Sequence, residues 1–132
     1  MARDLADFIG RWVIEREIVH AGAPPAQFVG QAEWTATTGG ADYFETGVLK
    51  LAGHSDMQAE RRYRWDNDLN VYFDDGRFFH QVPALGGGTE HWCDPDDYKV
   101  AYDFDHWPQW SARWAVQGPR KNYVMTSRYR QA

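Results

Sequence analysis

Residues 57–65 read Met57-Gln58-Ala59-Glu60-Arg61-Arg62-Tyr63-Arg64-Trp65, and their order decides the fold class. In an extended chain Met57, Ala59, Arg61, Tyr63 and Trp65 fall on one side, and Gln58, Glu60, Arg62 and Arg64 on the other. A period of two marks a β-strand with one buried face, since a helix would scatter these residues around its surface. The same pattern extends outward. Upstream, Tyr43, Glu45, Gly47, Leu49 and Leu51 oppose Phe44, Thr46, Val48 and Lys50, while Phe28, Gly30, Ala32, Trp34 and Ala36 oppose Gln31, Glu33 and Thr35. The first strand puts Trp12, Ile14 and Ile18 on one face.

Turn signals separate the runs at short intervals: Pro24-Pro25, Gly39-Gly40, Gly53-His54-Ser55, Asp66-Asn67-Asp68, Asp75-Gly76, Gly86-Gly87-Gly88, Asp94-Pro95-Asp96 and Gly118-Pro119. Asp75-Gly76 suits a two-residue type I′ hairpin, which would set Phe73 against Phe78 and Val71 against His80. Further strands are expected near 89–93, 98–104, 109–117 and 121–130. Trp107, Trp110 and Trp114 stand at helical spacing. However, Trp110, Ala112, Trp114 and Val116 alternate with Gln109, Ser111, Arg113 and Gln117, which favours a strand. About ten short strands joined by hairpin-sized links, with no crossover helix, imply a meander, a sandwich or a barrel. Before them, residues 4–9 read as one helical turn ended by Gly10.

Composition agrees. Seven each of Trp, Tyr and Phe make the chain 16% aromatic, which suits pleated surfaces. The 132 residues fit a single domain spanning 1–132. One cysteine, Cys93, excludes an internal disulfide, and the N-terminal residues lack the apolar run of a signal peptide, so a cytoplasmic location is expected. A net charge of −5 argues against a polyanion binder. The basic-aromatic runs 61–65 and 128–130 do not reverse this, because alternation sends neighbouring side chains to opposite faces. Neither nucleic acid nor a membrane is expected as a partner.

Gly10-Arg11-Trp12 opens the first strand, and Ser127-Arg128-Tyr129-Arg130 closes the last. This arrangement resembles the calycins, the superfamily of lipocalins and fatty-acid-binding barrels. The resemblance implies a closed antiparallel up-and-down β-barrel of about ten strands. It also implies that Trp12 plugs one end and that an arginine of the last strand, Arg128 or Arg130, packs over its ring. A guanidinium stacked there would pin the seam between first and last strands. Residues 57–65, 73–80 and 118–123 also resemble an uncharacterised bacterial family of lipocalin-like domains. That family has no assigned reaction, so the resemblance implies a fold and no activity.

Polar residues on inward faces are the candidate functional groups. Arg16 lies with Trp12 and Ile14, Glu45 with Tyr43 and Leu49, Arg61 with Tyr63 and Trp65, and His80 with Val71, Phe73 and Phe78. A buried charge costs several kcal/mol, roughly, unless it is paired. Either these groups meet a ligand's polar end, or Glu45 pairs with Arg61 and His80 with a tyrosine. Arg61 is the leading candidate, because a guanidinium can clamp a carboxylate through two hydrogen bonds. Trp34, Tyr63, Trp65, Trp110, Trp114 and Tyr123 would supply stacking walls.

The expected function is binding of a small, mostly apolar molecule with an acidic or polar group. An isomerase or cyclase using His80 and Glu45 as acid and base is the first alternative. A packed interaction module is the second, and the oligomeric state is open. No metal site is expected, because His91 and Cys93 share a face without a second ligand pair. No cofactor is expected either. Small bacterial barrels similar to this one hold haem through a single histidine, which would make His20, His54, His80, His91 or His106 the ligand.

Overall fold

The computed structural model describes residues 1–132. A single turn of helix, α1 (Leu5–Phe8), precedes ten antiparallel strands. They are β1 (Gly10–His20), β2 (Ala26–Thr37), β3 (Gly40–Leu51), β4 (Met57–Asp66) and β5 (Asn70–Phe73), then β6 (Phe78–Gln81), β7 (Gly87–Cys93), β8 (Asp96–His106), β9 (Gln109–Gln117) and β10 (Asn122–Gln131). Residues 109–117 form a strand, as their alternation required. No helix is long and apolar enough to cross a membrane.

The strands form one sheet in the order β6-β5-β4-β3-β2-β1-β10-β9-β8-β7. First and last strands are therefore neighbours, with Trp12 opposite Gln131 and Ile14 opposite Tyr129. The sheet curls into a barrel that is nearly, not fully, closed. Its two edges, β6 and β7, approach without forming a hydrogen-bonded ladder. Aromatic rings bridge that gap: His91 of β7 meets Phe78 at 5.9 Å and Phe79 at 5.7 Å between ring centroids.

Two glycines allow the curl. Gly30 of β2 faces Gly47 of β3, and a Cβ on either would fall well inside contact distance of the partner backbone. Side chains at these inward positions would force the strands apart, so the tight bend depends on their absence.

Helix α1 closes one end. Asp4 accepts a hydrogen bond from the Asp7 amide and Asp7 accepts one from the Asp4 amide, a capping box that holds the short turn. The turn drives Phe8 into the barrel, where it is fully buried against Trp34, Trp65, Trp107 and Trp110 at 5.2–5.8 Å. Trp12 donates its indole N–H to the Phe8 carbonyl at 2.8 Å and is buried beside it at this end.

The arginine expected over Trp12 is absent from it. In β10 the inward phase belongs to Met125, Ser127 and Tyr129, all buried. Arg128 and Arg130 are exposed on the outer face, opposite Glu15 and Val13. Alternation alone forces this, since Tyr129 takes the inward position and its neighbours must point out. On the inner face of β10, Tyr129 lies opposite Ile14 of β1 and stacks on Trp110 of β9, with centroids 4.0 Å apart and planes at 10°. A cation does cover a neighbouring ring: Arg3 lies 4.6 Å over Trp107, which packs on Trp12 at 5.6 Å.

The Asp75-Gly76 hairpin also differs from expectation. Only Gly76 has a positive φ, the Gly76 amide donates to the Phe73 carbonyl, and the Phe73 amide donates to the Arg77 carbonyl. The loop is therefore three residues long, with the glycine in the left-handed position that creates a bulge. Val71 does face His80, but Phe78 faces Tyr72 rather than Phe73. A separate bulge leaves Phe79 unpaired between these two pairs and turned inward, fully buried, while Phe78 is 47% exposed.

Candidate functional site

Three inward polar groups meet at mid-barrel. Arg16 donates to both Glu45 carboxylate oxygens, from Nη1 at 2.5 Å and Nη2 at 2.8 Å, and donates from Nε to the Ser127 hydroxyl at 2.7 Å. Tyr43 donates its hydroxyl to Glu45 Oε1 at 2.5 Å and lies 3.0 Å from the Tyr129 hydroxyl. The pairing runs across β2. Gly30 and Gly47 carry no side chains between the two groups, so the long Arg16 side chain reaches Glu45 on β3.

Burial alone would raise the Glu45 pKa, but the hydrogen bonds and charge of Arg16 outweigh it and hold the carboxyl below its ordinary value. Burial alone would lower the Arg16 pKa, and Glu45 reverses that as well. Both groups stay charged. A carboxylate so clamped is a weak base, the opposite of one tuned toward neutrality for proton transfer.

His80 stands apart from this cluster. Its Nε2 lies 2.8 Å from the Tyr102 hydroxyl, and its Nδ1 has no partner. Desolvation first, and His91 second, push its pKa down to about 3, so the ring is neutral at ordinary pH. It lines the same inner cavity as Glu45, but no hydrogen bond joins the two. That cavity is small, about 30 Å³. Trp34, Tyr63, Trp65, Trp110 and Trp114 also border it, yet these rings pack mainly on one another and on Phe8 and Phe79.

Arg61 occupies a different place. It faces Glu45 directly in the β3–β4 register, but Glu45 belongs to Arg16, and no carboxylate lies within 4 Å of Arg61. Arg61 is half-buried at the end of the barrel away from α1. Its guanidinium carbon lies 5.9 Å from the Trp114 ring centre. A second cavity of about 80 Å³ opens there, lined by Ile18, Phe28, Leu49, Ala59, the exposed Glu60 and Arg61, with Arg16 and Glu45 as its floor. Tyr123 is near this end and packs on His20 at 5.2 Å. The structure thus divides the expected ligand residues into an inner set and a mouth set joined at the Arg16–Glu45 pair.

Sequence reasoning marked Arg16 as an oddity without giving it a partner, and it missed Tyr43, Ser127, Tyr102 and Tyr129 as polar members of the interior. All five stand at inward phase in their strands, which is the signal that could have found them. His91 and Cys93 are half-buried, with Trp92 pointing out between them. No three His, Cys, Asp or Glu side chains cluster closely enough to hold a metal ion.

Residues 8–131 match the profile of a family of unknown function, DUF6314. The chain belongs to that family. No curated protein matches this DUF6314 chain in sequence. Among solved structures it is similar to the S-type phycobiliprotein lyase CPES from Guillardia theta, with a TM-score of 0.59 at 10% identity. The likeness covers 97% of the DUF6314 chain and 90% of the lyase. It establishes a shared barrel fold.

Proposed function

We propose that this protein binds a small organic acid at the barrel mouth, with the acid's carboxylate on Arg61 and its apolar body against Ile18, Phe28, Leu49 and Trp114. The observation that carries the reading is that Arg61 forms no salt bridge within the chain: Glu45, its register partner, is held by Arg16. A guanidinium half-removed from water beside an aromatic ring, with its register partner already taken, is a site for an anion from outside the chain. Arg16 and Glu45 cancel each other, which leaves Arg61 and Glu60 as the charges at the mouth; Arg61 is half-buried, whereas Glu60 is exposed and screened by water.

The small mouth cavity suits the head of the ligand rather than the whole of a large one, and the rest would lie along the lip. The barrel shared with a phycobiliprotein lyase is compatible with a ligand-receiving role, and no reaction is carried over from that protein.

Benzoate and benzyl alcohol separate charge recognition from simple apolar binding. Titrated into 15N-labelled protein, benzoate should shift the Arg61 Nε–H and Trp114 indole signals saturably. Benzyl alcohol should bind about ten-fold or more weakly, because a charge-assisted hydrogen bond contributes about 1.5–3 kcal/mol. Equal affinity for the two, or no saturable shift with either, rejects the proposal.

A further inference from the structure

The inner cavity has a hydrogen-bonding character that neither the mouth nor the ion pair explains. Four buried side-chain nitrogens in the protein lack a partner: Arg3 Nε, Trp34 Nε1, Trp110 Nε1 and His80 Nδ1. Three of them belong to residues lining this one cavity. Unsatisfied buried polar groups are rare in folded proteins, and three around one void ask for an occupant.

Their polarity can be worked out. An indole Nε1–H only donates. The Tyr102 hydroxyl is fully buried, burial raises its pKa far above the ordinary value, and its one side-chain partner is His80 Nε2. Donation from Tyr102 to Nε2 strands only Nδ1, whereas the reverse would strand both the Tyr102 proton and Nδ1; the first arrangement leaves fewer groups unsatisfied and places the single proton of the neutral imidazole on Nδ1. All three orphan nitrogens are thus donors. Nearby, Tyr43 spends its hydroxyl proton on Glu45, so Tyr129 donates to Tyr43 and keeps free lone pairs.

We infer that the inner cavity is a receptor for a hydrogen-bond-accepting oxygen, with the otherwise unpartnered N–H groups of Trp34, Trp110 and His80 on its lining as the available donors. The volume, about 30 Å³, admits an atom of that kind and little more. Two sources supply such an oxygen. One is a resident water, which could return a hydrogen bond to Tyr129. The other is a terminal carbonyl or carboxylate oxygen of a ligand that passes the Arg16–Glu45 floor. The second source rests on the mouth-binding reading and the first does not.

Water-to-protein NOE spectroscopy on ligand-free protein tests the site independently of any ligand. The Trp34 and Trp110 indole protons should show cross-peaks to water with the sign of a long-lived molecule. The His80 ring nitrogens should report a proton on Nδ1 and none on Nε2. Saturation with terephthalate, whose second carboxylate can point inward while the first sits on Arg61, then distinguishes the sources. Cross-peaks that persist assign the oxygen to water; cross-peaks that vanish, with the indole protons still shifted as hydrogen-bonded, assign it to the ligand. Indole protons without water cross-peaks in the free protein, or His80 in the Nε2–H form, would overturn the inference even if benzoate binds at Arg61.

Discussion

Glu45 lies directly opposite Arg61 on adjacent strands, yet it forms its ion pair with Arg16, two strands away on β1. The nearer pairing would have neutralised the mouth. The actual one buries a bidentate pair at mid-barrel, braced by Tyr43 and Ser127, and leaves Arg61 available.

This choice has a thermodynamic signature. Removing the carboxylate with Glu45→Gln strands the Arg16 charge and should cost about 3–5 kcal/mol. The double variant Arg16→Met/Glu45→Gln should recover much of that loss in urea unfolding. Additive losses would mean that the two groups do not depend on each other.

The seam predicts a contrast within one strand. Tyr129→Ala removes a ring stacked on Trp110 and should cost about 3–5 kcal/mol by analogy with other large aromatic truncations. Arg128→Ala and Arg130→Ala lie on the exposed face and should change stability by about 0.5 kcal/mol or less. Deleting residues 128–132 should be severe because Tyr129 goes with them. A thermal scan that ranks either arginine variant with Tyr129→Ala would restore the arginine-capped seam.

Acid should weaken the fold in a window set by His80. Its folded pKa is about 3 against an ordinary 6.5, so between those values the unfolded chain binds a proton that the folded one refuses. Stability therefore falls as pH drops from about 6.5 toward 3, by a few kcal/mol in all. Glu45 acts in the same direction at lower pH. Its depressed pKa contributes stability above the unfolded carboxylate value, and that is lost as pH falls through the folded one. Melting temperature against pH should flatten between about pH 6.5 and 4.5 in His80→Gln. Parallel profiles for the two proteins would remove His80 as the cause.

Much of the fold was legible because alternation needs no tertiary information. The phase of β1 to β4, the strand at 109–117 and the inward placing of Glu45, Arg61 and His80 all follow from a period of two. The rest was not legible for identifiable reasons. Phe79 turns inward because it is the unpaired residue of a bulge between the Tyr72–Phe78 and Val71–His80 pairs, a local irregularity that residue order does not show. Arg128 and Arg130 were placed over Trp12 by a resemblance, against the alternation that sends them outward. The partner of Arg16 depends on two glycines clearing the space between strands. The ring-rich interior suggested an open pocket, but its volume goes largely to rings packing on rings, a matter of register and curl.

The central claim is that Arg61 is a ligand-binding cation and not a structural one, and Arg61→Gln tests it most directly. Benzoate affinity, read from the Trp114 indole shift, should fall about ten-fold or more while the melting temperature stays within a degree or two, roughly, of the parent protein. Unchanged benzoate affinity, or a loss of stability like that of Glu45→Gln, would contradict the account.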